Sequence, residues 1–422
     1  MPARVAWARR AALAISLLSA CDRRRNVGEN AYDDRVEQAM PQIERATGLK
    51  FKSKPKLELR SRAQVREFLV RKFDESTPAA ELRGEEEAYK LFGLIPDTLD
   101  LRKFLLELLT EQIVGYYDPS TKVLYLVEGA PDDLSGITIT HEMIHALQDQ
   151  YVNLDSIQKL KGNSDRVAAA QAVLEGQAIF EQMEVVAGGR NLATEIPGLW
   201  DQIRQQIRTQ QSSMPIFAIA PMAIQESLLF PYLSGAEFIR RFKQHRPKAS
   251  PLDSMPISTE QVLSEKAYFG TPRDMPSDVI LPASADSTAH EETMGEFGTR
   301  LFLFQHTKDN TAAVRAAAGW DGDRYRVVRT GGGRGIVWVT VWDSAVDAAE
   351  FVDVLGEAIG RRYNTGAPAL SANGVRTYSG ARRTVVITPR EISGRNVVMY
   401  VDVPAGASPA LVDPARISIV GR

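Results

Sequence analysis

The sequence predicts an α+β fold, in which a mainly helical core carries a small mixed sheet and is followed by a small α+β module. Through most of the chain before Trp320, apolar side chains recur at the three- and four-residue spacing of amphipathic helices. The apolar run at 122–127, rich in valine and tyrosine, predicts a strand within that helical pattern. After Trp320 the pattern changes to alternation, which is typical of half-buried strands. The chain therefore divides into a core of residues 22–318 and a module of residues 319–422.

The N-terminal segment, residues 1–21, has the features of an export signal. Basic residues within 4–10 precede an apolar run at 11–18, which is shorter than the ~20 residues of a membrane span. The Leu-Ser-Ala-Cys that ends this segment resembles a bacterial lipoprotein cleavage site, in which the cysteine is lipidated. Cys21 is the only cysteine of the chain, and arginines at 23–25 favour anionic headgroups. We therefore expect a lipid anchor at Cys21 that holds the protein to a bilayer in the bacterial cell envelope, facing the periplasm or the exterior.

The core begins with charged amphipathic helices, predicted within 31–90 around a short strand at 57–59. Leucines at helical spacing then predict a helix from Leu101 that ends before Gly115. The Tyr-Asp-Pro-Ser sequence at 117–120 predicts a turn into the strand at 122–127, because proline presets φ and aspartate caps the turn. This strand leads into the helix that carries the most informative motif.

The pentad His-Glu-Met-Ile-His at 141–145 constrains the chemistry more than any other feature of the chain. On an α-helix, residues four positions apart are separated by about 40° around the axis, so His141 and His145 share one face. Two neutral imidazoles on one face can bind the same zinc ion. Glu142 lies beside them, where it can take a proton from a metal-activated water. The pentad therefore predicts two zinc ligands and a general base.

A catalytic zinc site needs a third protein ligand and an open position. In one common zinc-site pattern, the pentad is followed by a glycine three positions later and by a third histidine six positions later. Those positions hold Gln148 and Tyr151 here, so the third ligand must come from elsewhere. Apolar spacing predicts a returning antiparallel helix over 165–187, which carries Glu175 thirty positions after His145. The small residues Gly176 and Ala178 beside it would let the two helices approach closely enough to share an ion. The fallback ligands on the same helix are Glu181 and Glu184.

The runs at 141–150 and 173–178 resemble the gluzincin clan of zinc metallopeptidases. More narrowly, the chain is similar to a set of largely uncharacterised bacterial and archaeal metalloproteases over roughly residues 90 to 350. That set also has segments like those at 115–119, 230–232, 258–261 and 319–323. The resemblance implies a zincin-like core that binds one Zn²⁺ and hydrolyses a peptide or protein substrate. The residues that it assigns are His141, His145 and Glu175 as metal ligands and Glu142 as general base.

The chain departs from thermolysin-like gluzincins at Ile179, where those proteins have an aspartate that orients a ligand histidine. Because a metal-bound imidazole nearly always donates its other N–H to a carboxylate or carbonyl, Asp149 and Glu181 become candidates for that role. The resemblance also implies a tyrosine or histidine that steadies the oxyanion. The candidates are Tyr268 and His290 first, with Tyr116 and Tyr232 behind them. Two further histidines, His245 and His306, lie among polar neighbours and are predicted to be exposed.

The C-terminal module is predicted to contain strands at 325–329, 335–342, 384–388 and 397–403, with one helix over 345–363. Three glycines at 331–333 could suggest a phosphate loop, but no helix follows them, so a hairpin turn is the better interpretation.

Composition limits the partners. A net charge of −2, with no basic cluster beyond the N-terminal arginines, argues against nucleic acid. Two alternatives to a peptidase stay open at this point. One is an envelope binding protein or scaffold that keeps a zincin fold without catalysis, and the other is a zinc amidase that acts on cell-wall material. The retained Glu142 weighs against the first, because a scaffold has no need of a base beside the metal.

Overall fold

The computed structural model describes residues 29–76, 78–158, 162–196, 198–209, 214–283 and 288–421. The predicted export signal and the lipidation site at Cys21 lie outside these residues. The α+β class is confirmed, with a helical N-terminal part and an antiparallel sheet towards the C-terminus. Among the described residues, no helix combines the length and the apolar character that a membrane crossing needs.

The helices of the N-terminal part pack against a small sheet and against one another. They are α1 (Glu29–Thr47), α2 (Arg62–Ser76), α3 (Ala79–Phe92), α4 (Leu101–Gln112), α5 (Asp132–Asp149), α6 (Leu154–Gln158), α7 (Ser164–Val186), α8 (Leu192–Glu195), α9 (Leu199–Thr209), α10 (Pro215–Ala218), α11 (Met222–His245), α12 (Thr259–Leu263) and α13 (Glu265–Phe269). Three further helices belong to the C-terminal region: α14 (Gly295–Thr307), α15 (Asn310–Ala317) and α16 (Ala345–Tyr363).

The strands form three separate sheets. They are β1 (Lys56–Arg60), β2 (Gly115–Asp118), β3 (Val123–Val127), β4 (Asp278–Ile280), β5 (Thr288–Glu292), β6 (Trp320–Thr330), β7 (Gly333–Trp342), β8 (Ala369–Leu370), β9 (Arg376–Ser379), β10 (Arg383–Ile392), β11 (Arg395–Pro404) and β12 (Ser418–Val420). The first sheet has the order β1-β3-β2 and is mixed, since β1 runs parallel to β3 and β2 antiparallel to it. The second has the order β5-β6-β7-β11-β10-β9-β8, and the third pairs β12 with β4.

The small mixed sheet is covered on both faces, which explains why β3 is continuously apolar. Leu124 and Leu126 belong to one cluster with apolar residues of α1 and α5. The alternate residues Val123, Tyr125 and Val127 belong to a second cluster with residues of α2 and α4. Side chains of successive strand residues point to opposite faces, so this one strand holds helices on both sides. The sheet thereby fixes the position of α5, the helix of the pentad.

Helix α7 makes its closest approach to α11 rather than to α5. A Cβ added to Gly176 would lie 2.2 Å from the Gly235 carbonyl carbon, and one added to Gly235 would lie 2.0 Å from the Ala172 carbonyl oxygen. The expectation that Gly176 brings the two ligand helices together was therefore wrong, because its missing side chain admits the backbone of α11. Ala178 does lie at the interface with α5, in a cluster with Met143 and other apolar residues.

The C-terminal sheet begins before the boundary expected at residue 319. Strand β5, at Thr288–Glu292, pairs with β6 and forms the edge of the seven-stranded sheet. Each of the four strands predicted from alternation lies within an observed strand, and the helix over 345–363 has the predicted bounds. The short strands β5, β8 and β9, of which β5 and β8 form the two edges of this sheet, were not predicted.

The C-terminal sheet also holds the start of α7. The Ser164 backbone N–H donates to Glu292 Oε2 at 2.8 Å, and the Asp165 N–H donates to Thr293 Oγ1 at 3.2 Å. These two bonds satisfy backbone donors that have no partner within the first turn of a helix. The side chain of Arg324 in β6 adds a bond to the Gly162 carbonyl at 2.6 Å. The module and the core therefore meet at the N-terminus of α7.

Candidate metal centre

The two helices α5 and α7 run antiparallel across the candidate site, as expected from the sequence. His141 contacts Gln182, whereas Gln148, two turns later on α5, contacts Leu174 near the middle of α7. A later residue of α5 thus contacts an earlier residue of α7, which shows that the two helices are antiparallel. Asn163 starts α7, and its side chain accepts the Arg166 N–H at 2.8 Å as an N-cap. This arrangement brings the middle of α7 opposite the pentad.

Three donor atoms converge between these helices. His141 Nε2 and His145 Nε2 lie 3.2 Å apart, and Glu175 Oε2 lies 3.3 Å from the first and 3.2 Å from the second. Around a tetrahedral zinc ion with bonds of 2.0–2.1 Å, ligand atoms are separated by about 3.3 Å. The triangle of donor atoms thus has the dimensions of three corners of a zinc coordination tetrahedron. All three side chains are buried.

The outer nitrogens of both imidazoles contact side-chain amides. His141 Nδ1 lies 3.1 Å from Gln182 Oε1, and the Gln182 amide N–H donates to the Ile137 carbonyl at 3.2 Å. His145 Nδ1 lies 2.9 Å from Gln148 Oε1, and the Gln148 amide donates at 3.0 Å to the Leu174 carbonyl. These N–H bonds, together with one from the Gln148 amide to Gln177 Oε1 at 3.0 Å, turn the oxygen of each amide towards an imidazole. An amide oxygen can only accept, so each Nδ1 must carry a proton. In the neutral rings both Nε2 lone pairs therefore point at the centre of the triangle.

The electrostatics of this centre favour a positive charge between the three donors. Burial lowers the pKa of His145, but the Glu175 carboxylate, with smaller contributions from Glu142 and Gln148, outweighs burial and raises that pKa to about 9. Burial likewise raises the pKa of Glu175, yet the two imidazoles outweigh it and hold the pKa well below its ordinary value. A divalent cation placed between these donor atoms would be stabilised by the same negative charge that favours a proton on His145. The donor set therefore fits zinc by its dimensions and its charge.

Glu142 is buried beside the triangle, with one oxygen engaged and one unpartnered. Its Oε2 accepts the Tyr117 backbone N–H at 2.8 Å, so strand β2 fixes the orientation of the carboxylate. Its Oε1 has no hydrogen-bond partner within the described part of the chain. Burial raises the pKa of Glu142 above its ordinary value, although the two imidazoles oppose this. A cavity of about 30 Å³, lined in part by Glu142, His145 and Glu175, adjoins these groups and is large enough for one water molecule.

The two carboxylates expected to orient the histidines have other partners. Asp149 accepts the Tyr117 hydroxyl at 2.8 Å and pairs with Lys122 at 2.5 Å. Glu181 is buried and pairs with Lys243 at 2.7 Å. The interpretation of either residue as an orienting group was therefore wrong, as was that of Glu181 as a fallback ligand. The sequence did contain a signal for Gln148, since it follows His145 by three positions on one helix face.

The leading candidates for an oxyanion donor lie away from the metal centre. The hydroxyl of Tyr268 donates to the Ser254 carbonyl, and His290 Nε2 lies 3.3 Å from the Tyr325 hydroxyl. Neither residue lines the cavity beside Glu142, so the expectation for both was wrong. The second-ranked tyrosines are closer: Tyr116 lines that cavity, and the ring centroid of Tyr232 lies 6.2 Å from that of His141.

The two histidines that the sequence predicted to be exposed differ from each other. His245 is exposed and lies 2.6 Å from Glu265. His306 is half-buried, and its Nε2 lies 2.8 Å from the Phe92 carbonyl. Burial lowers the pKa of His306 to about 4. The prediction was therefore wrong for His306, whose ring contacts the carbonyl of the last residue of α3 instead of facing solvent.

Comparison with known proteins identifies one region of the chain. Residues 283–410 match a family model described as a domain of unknown function (DUF8575). No curated protein and no solved structure matches the chain. The matched region contains the C-terminal sheet from β5 to β11, but it does not contain the three converging donors or Glu142. The similarity to this family covers the C-terminal third of the chain.

Proposed function

We propose that this protein is a membrane-anchored, zinc-dependent metallopeptidase that hydrolyses peptide bonds by a metal-activated water, with Glu142 as general base. The observation that carries the proposal is the triangle of His141 Nε2, His145 Nε2 and Glu175 Oε2, with sides of 3.2–3.3 Å. Three protein ligands with an adjacent carboxylate are the composition of a catalytic rather than a structural zinc site. A structural site would supply four protein ligands and no base.

Each residue of the centre has a role in this proposal. A bound zinc ion supplies Lewis acidity, which makes water a nucleophile near neutral pH. His141, His145 and Glu175 hold the ion, while the amides of Gln182 and Gln148 keep both rings in the tautomer that offers Nε2. Glu142 accepts the proton of the attacking water and returns it to the leaving amine. The Oε1 atom supports this role, because it is buried and has no hydrogen bond within the described residues that it would have to break.

The lipid anchor at Cys21 places this activity in the bacterial cell envelope, with the catalytic core facing the periplasm or the exterior. Its support is the N-terminal pattern of basic residues, a short apolar run and a lone cysteine. The substrate is a peptide or protein, and the proposal includes no nucleic acid. Export to an oxidising compartment is compatible with the chain, since it has no second cysteine to pair.

The test compares the metal content and the peptide cleavage of the mature protein with those of Glu142→Gln. We expect about one zinc per chain in both proteins, because Glu142 is not among the three ligands. We expect cleavage of a peptide library to fall at least 100-fold in the variant, the order of magnitude of a lost general base. Equal cleavage by both proteins would remove Glu142 from the mechanism. Zinc without turnover in the parent would favour a scaffold, and cleavage of cell-wall fragments but not peptides would favour an amidase.

A further inference from the structure

A second, larger cavity lies between α3, α4, α7, α11, α14 and strand β5. Its volume is about 140 Å³, and its walls are mainly apolar, with Leu101, Leu105, Phe230 and Phe297 among them. An apolar cavity of about 150 Å³ in another protein binds benzene. This space is therefore the size of one aromatic or branched aliphatic side chain.

One polar residue, Gln171, connects this cavity with the metal centre. It lines both the larger cavity and the small cavity beside Glu142. It precedes Glu175 by four positions on α7, so the two side chains lie on the same face of the helix. Ala168, one turn earlier on that face, also lines the larger cavity. The face of α7 that carries the third ligand thus continues into the apolar cavity.

The Gln171 amide is buried without a partner. The residue is 3% exposed, and neither Oε1 nor Nε2 has a hydrogen-bond partner within the described residues. An unsatisfied buried polar group costs about 1–3 kcal/mol. Both ends of one amide are affected here, in a protein whose neighbouring Gln148 and Gln182 are each bonded at both ends. A ligand that offers both an acceptor and a donor would satisfy Gln171.

We propose that the larger cavity is the specificity pocket for an aromatic or branched apolar residue of the substrate next to the scissile bond, and that Gln171 binds the backbone N–H and C=O of that residue. This inference rests on the proposed peptidase function and names its substrate class. In an extended peptide, the N–H and C=O of one residue face the same side of the backbone, where they complement the oxygen and the amide N–H groups of a glutamine. The side chain of that residue then enters the apolar cavity, where its burial is favourable.

The segment Phe-Pro-Tyr at 230–232 in α11 supports this placement from the other side. Phe230 and Pro231 line the larger cavity, whereas the ring of Tyr232 lies 6.2 Å from that of His141. Three consecutive residues thus connect the pocket with the ligand helix. On the opposite wall, Gln171 of the larger cavity and the proposed ligand Glu175 are one helical turn apart on α7, a rise of about 6 Å.

The test is the selectivity of cleavage between two peptides that differ at one position, phenylalanine in one and glycine in the other. This position is the one, counted from the cleaved bond, at which apolar residues occur most often among the products of a peptide-library digest. For the parent we expect kcat/KM to be at least tenfold higher with phenylalanine. Ala168→Leu reduces the cavity volume and should lower that ratio at least tenfold. The control Val186→Leu adds volume on α7 at a residue that is 54% exposed, and it should leave the ratio unchanged.

A binding measurement separates this inference from the proposed function. The probe is N-acetyl-phenylalanine amide, titrated into Glu142→Gln protein with and without Gln171→Met, and N-acetyl-glycine amide is the control. We expect Gln171→Met to weaken binding of the phenylalanine probe at least tenfold while zinc content stays the same. Cleavage that shows no preference for apolar residues at any position would overturn the pocket and leave the peptidase standing. Probe binding that depends on Gln171, in a protein that cleaves no peptide, would support the pocket and overturn the peptidase.

Discussion

The backbone N–H of Tyr117 donates to the carboxylate of Glu142 at 2.8 Å, so the edge strand of the small sheet is bonded to the centre of the pentad helix. A hydrogen bond to the ionised form of a carboxylate stabilises that form. It also fixes which oxygen faces β2 and which faces the cavity. The backbone of the strand therefore orients the proposed general base.

This relationship predicts different effects for two substitutions at Tyr117. Proline removes the backbone N–H, whereas alanine keeps it and removes only the side chain. We expect kcat to be at least tenfold lower for Tyr117→Pro than for Tyr117→Ala, with equal zinc content in the two variants. Steady-state cleavage and metal analysis measure both quantities. Equal kcat values would mean that Glu142 keeps its orientation without β2.

The amide of Gln182 should contribute to metal affinity through His141. Loss of a group that bonds to a metal-binding histidine typically costs 10–100-fold in affinity. We expect Gln182→Leu to weaken zinc binding by that factor, measured by competition with a chelator. Gln182→Glu keeps an oxygen opposite His141 Nδ1 and should bind zinc at least as tightly as the parent. A leucine variant with parental affinity would contradict the role of this amide.

The contact between Gly176 and Gly235 should make α7 intolerant of even a methyl group. A Cβ at Gly176 would lie 2.2 Å from backbone atoms of α11, which cannot move aside as a side chain could. We expect Gly176→Ala to lower the free energy of unfolding by about 1–3 kcal/mol or more, measured with urea. The control is Gly360→Ala in α16, where an added Cβ meets no atom within 4 Å. That variant should gain about 0.5–1 kcal/mol, because alanine is the better helix former. A Gly176→Ala protein as stable as the parent would contradict the close packing.

The buried pair of Glu181 and Lys243 predicts a pH dependence of stability. Burial raises the pKa of Glu181 to about 7, although Lys243 opposes this. Because the folded-state pKa lies above the unfolded value of 4.5, the contribution of Glu181 is complete below about pH 4.5 and is lost as the pH rises through 7. Glu181→Gln should therefore gain stability relative to the parent between pH 4.5 and 8, by on the order of 2–3 kcal/mol.

Urea unfolding of both proteins at several pH values measures this difference. In a Lys243→Met background the opposing charge is absent, so the pKa of Glu181 rises further and the change extends above pH 7. A stability difference that is independent of pH in both backgrounds would show that Glu181 does not titrate in this range.

The proposed lipid anchor predicts that the protein's location depends on the thiol of Cys21. In cells supplied with labelled palmitate, we expect the parent to incorporate label and to sediment with membranes. Cys21→Ser should incorporate no label and should appear in the soluble fraction after export. Cys21 is the only cysteine, so the label has no alternative thiol. Labelling of the serine variant, or its retention on membranes to the same extent as the parent, would exclude this anchor.

The convergence of His141, His145 and Glu175 could be predicted because each step was local. Two histidines four positions apart share a helix face, and a loop followed by an apolar periodic stretch implies a returning helix. The partners of those residues could not be predicted in the same way. Gln182 is 41 positions from His141, and nothing in a local pattern distinguishes its amide from the neighbouring carboxylate of Glu181. The choice depends on the rotation of α7, which packing sets.

The same limit explains the errors about Gly176 and the oxyanion candidates. Small residues indicate that a helix approaches something closely, but they do not indicate which neighbour. Tyr268 and His290 were selected by residue type from segments distant in sequence, and their positions depend on how several short elements pack. Strand β5 was missed because it is an edge strand of polar residues, Thr-Ala-His-Glu-Glu, without apolar alternation. Its identity comes from pairing with β6.

The bonds from Glu292 and Thr293 to the first turn of α7 have a consequence for any attempt to dissect this protein. The sequence of residues 283–410 forms a recognisable unit, and it invites expression of the remaining chain as a minimal catalyst. Such a truncation would remove Glu292 and Thr293, whose side chains accept hydrogen bonds from the first backbone N–H groups of α7, the helix that carries Glu175. The shortened protein would begin that helix with exposed amides three turns from its third ligand. A loss of activity on truncation would then report a frayed scaffold and not a missing chemical group.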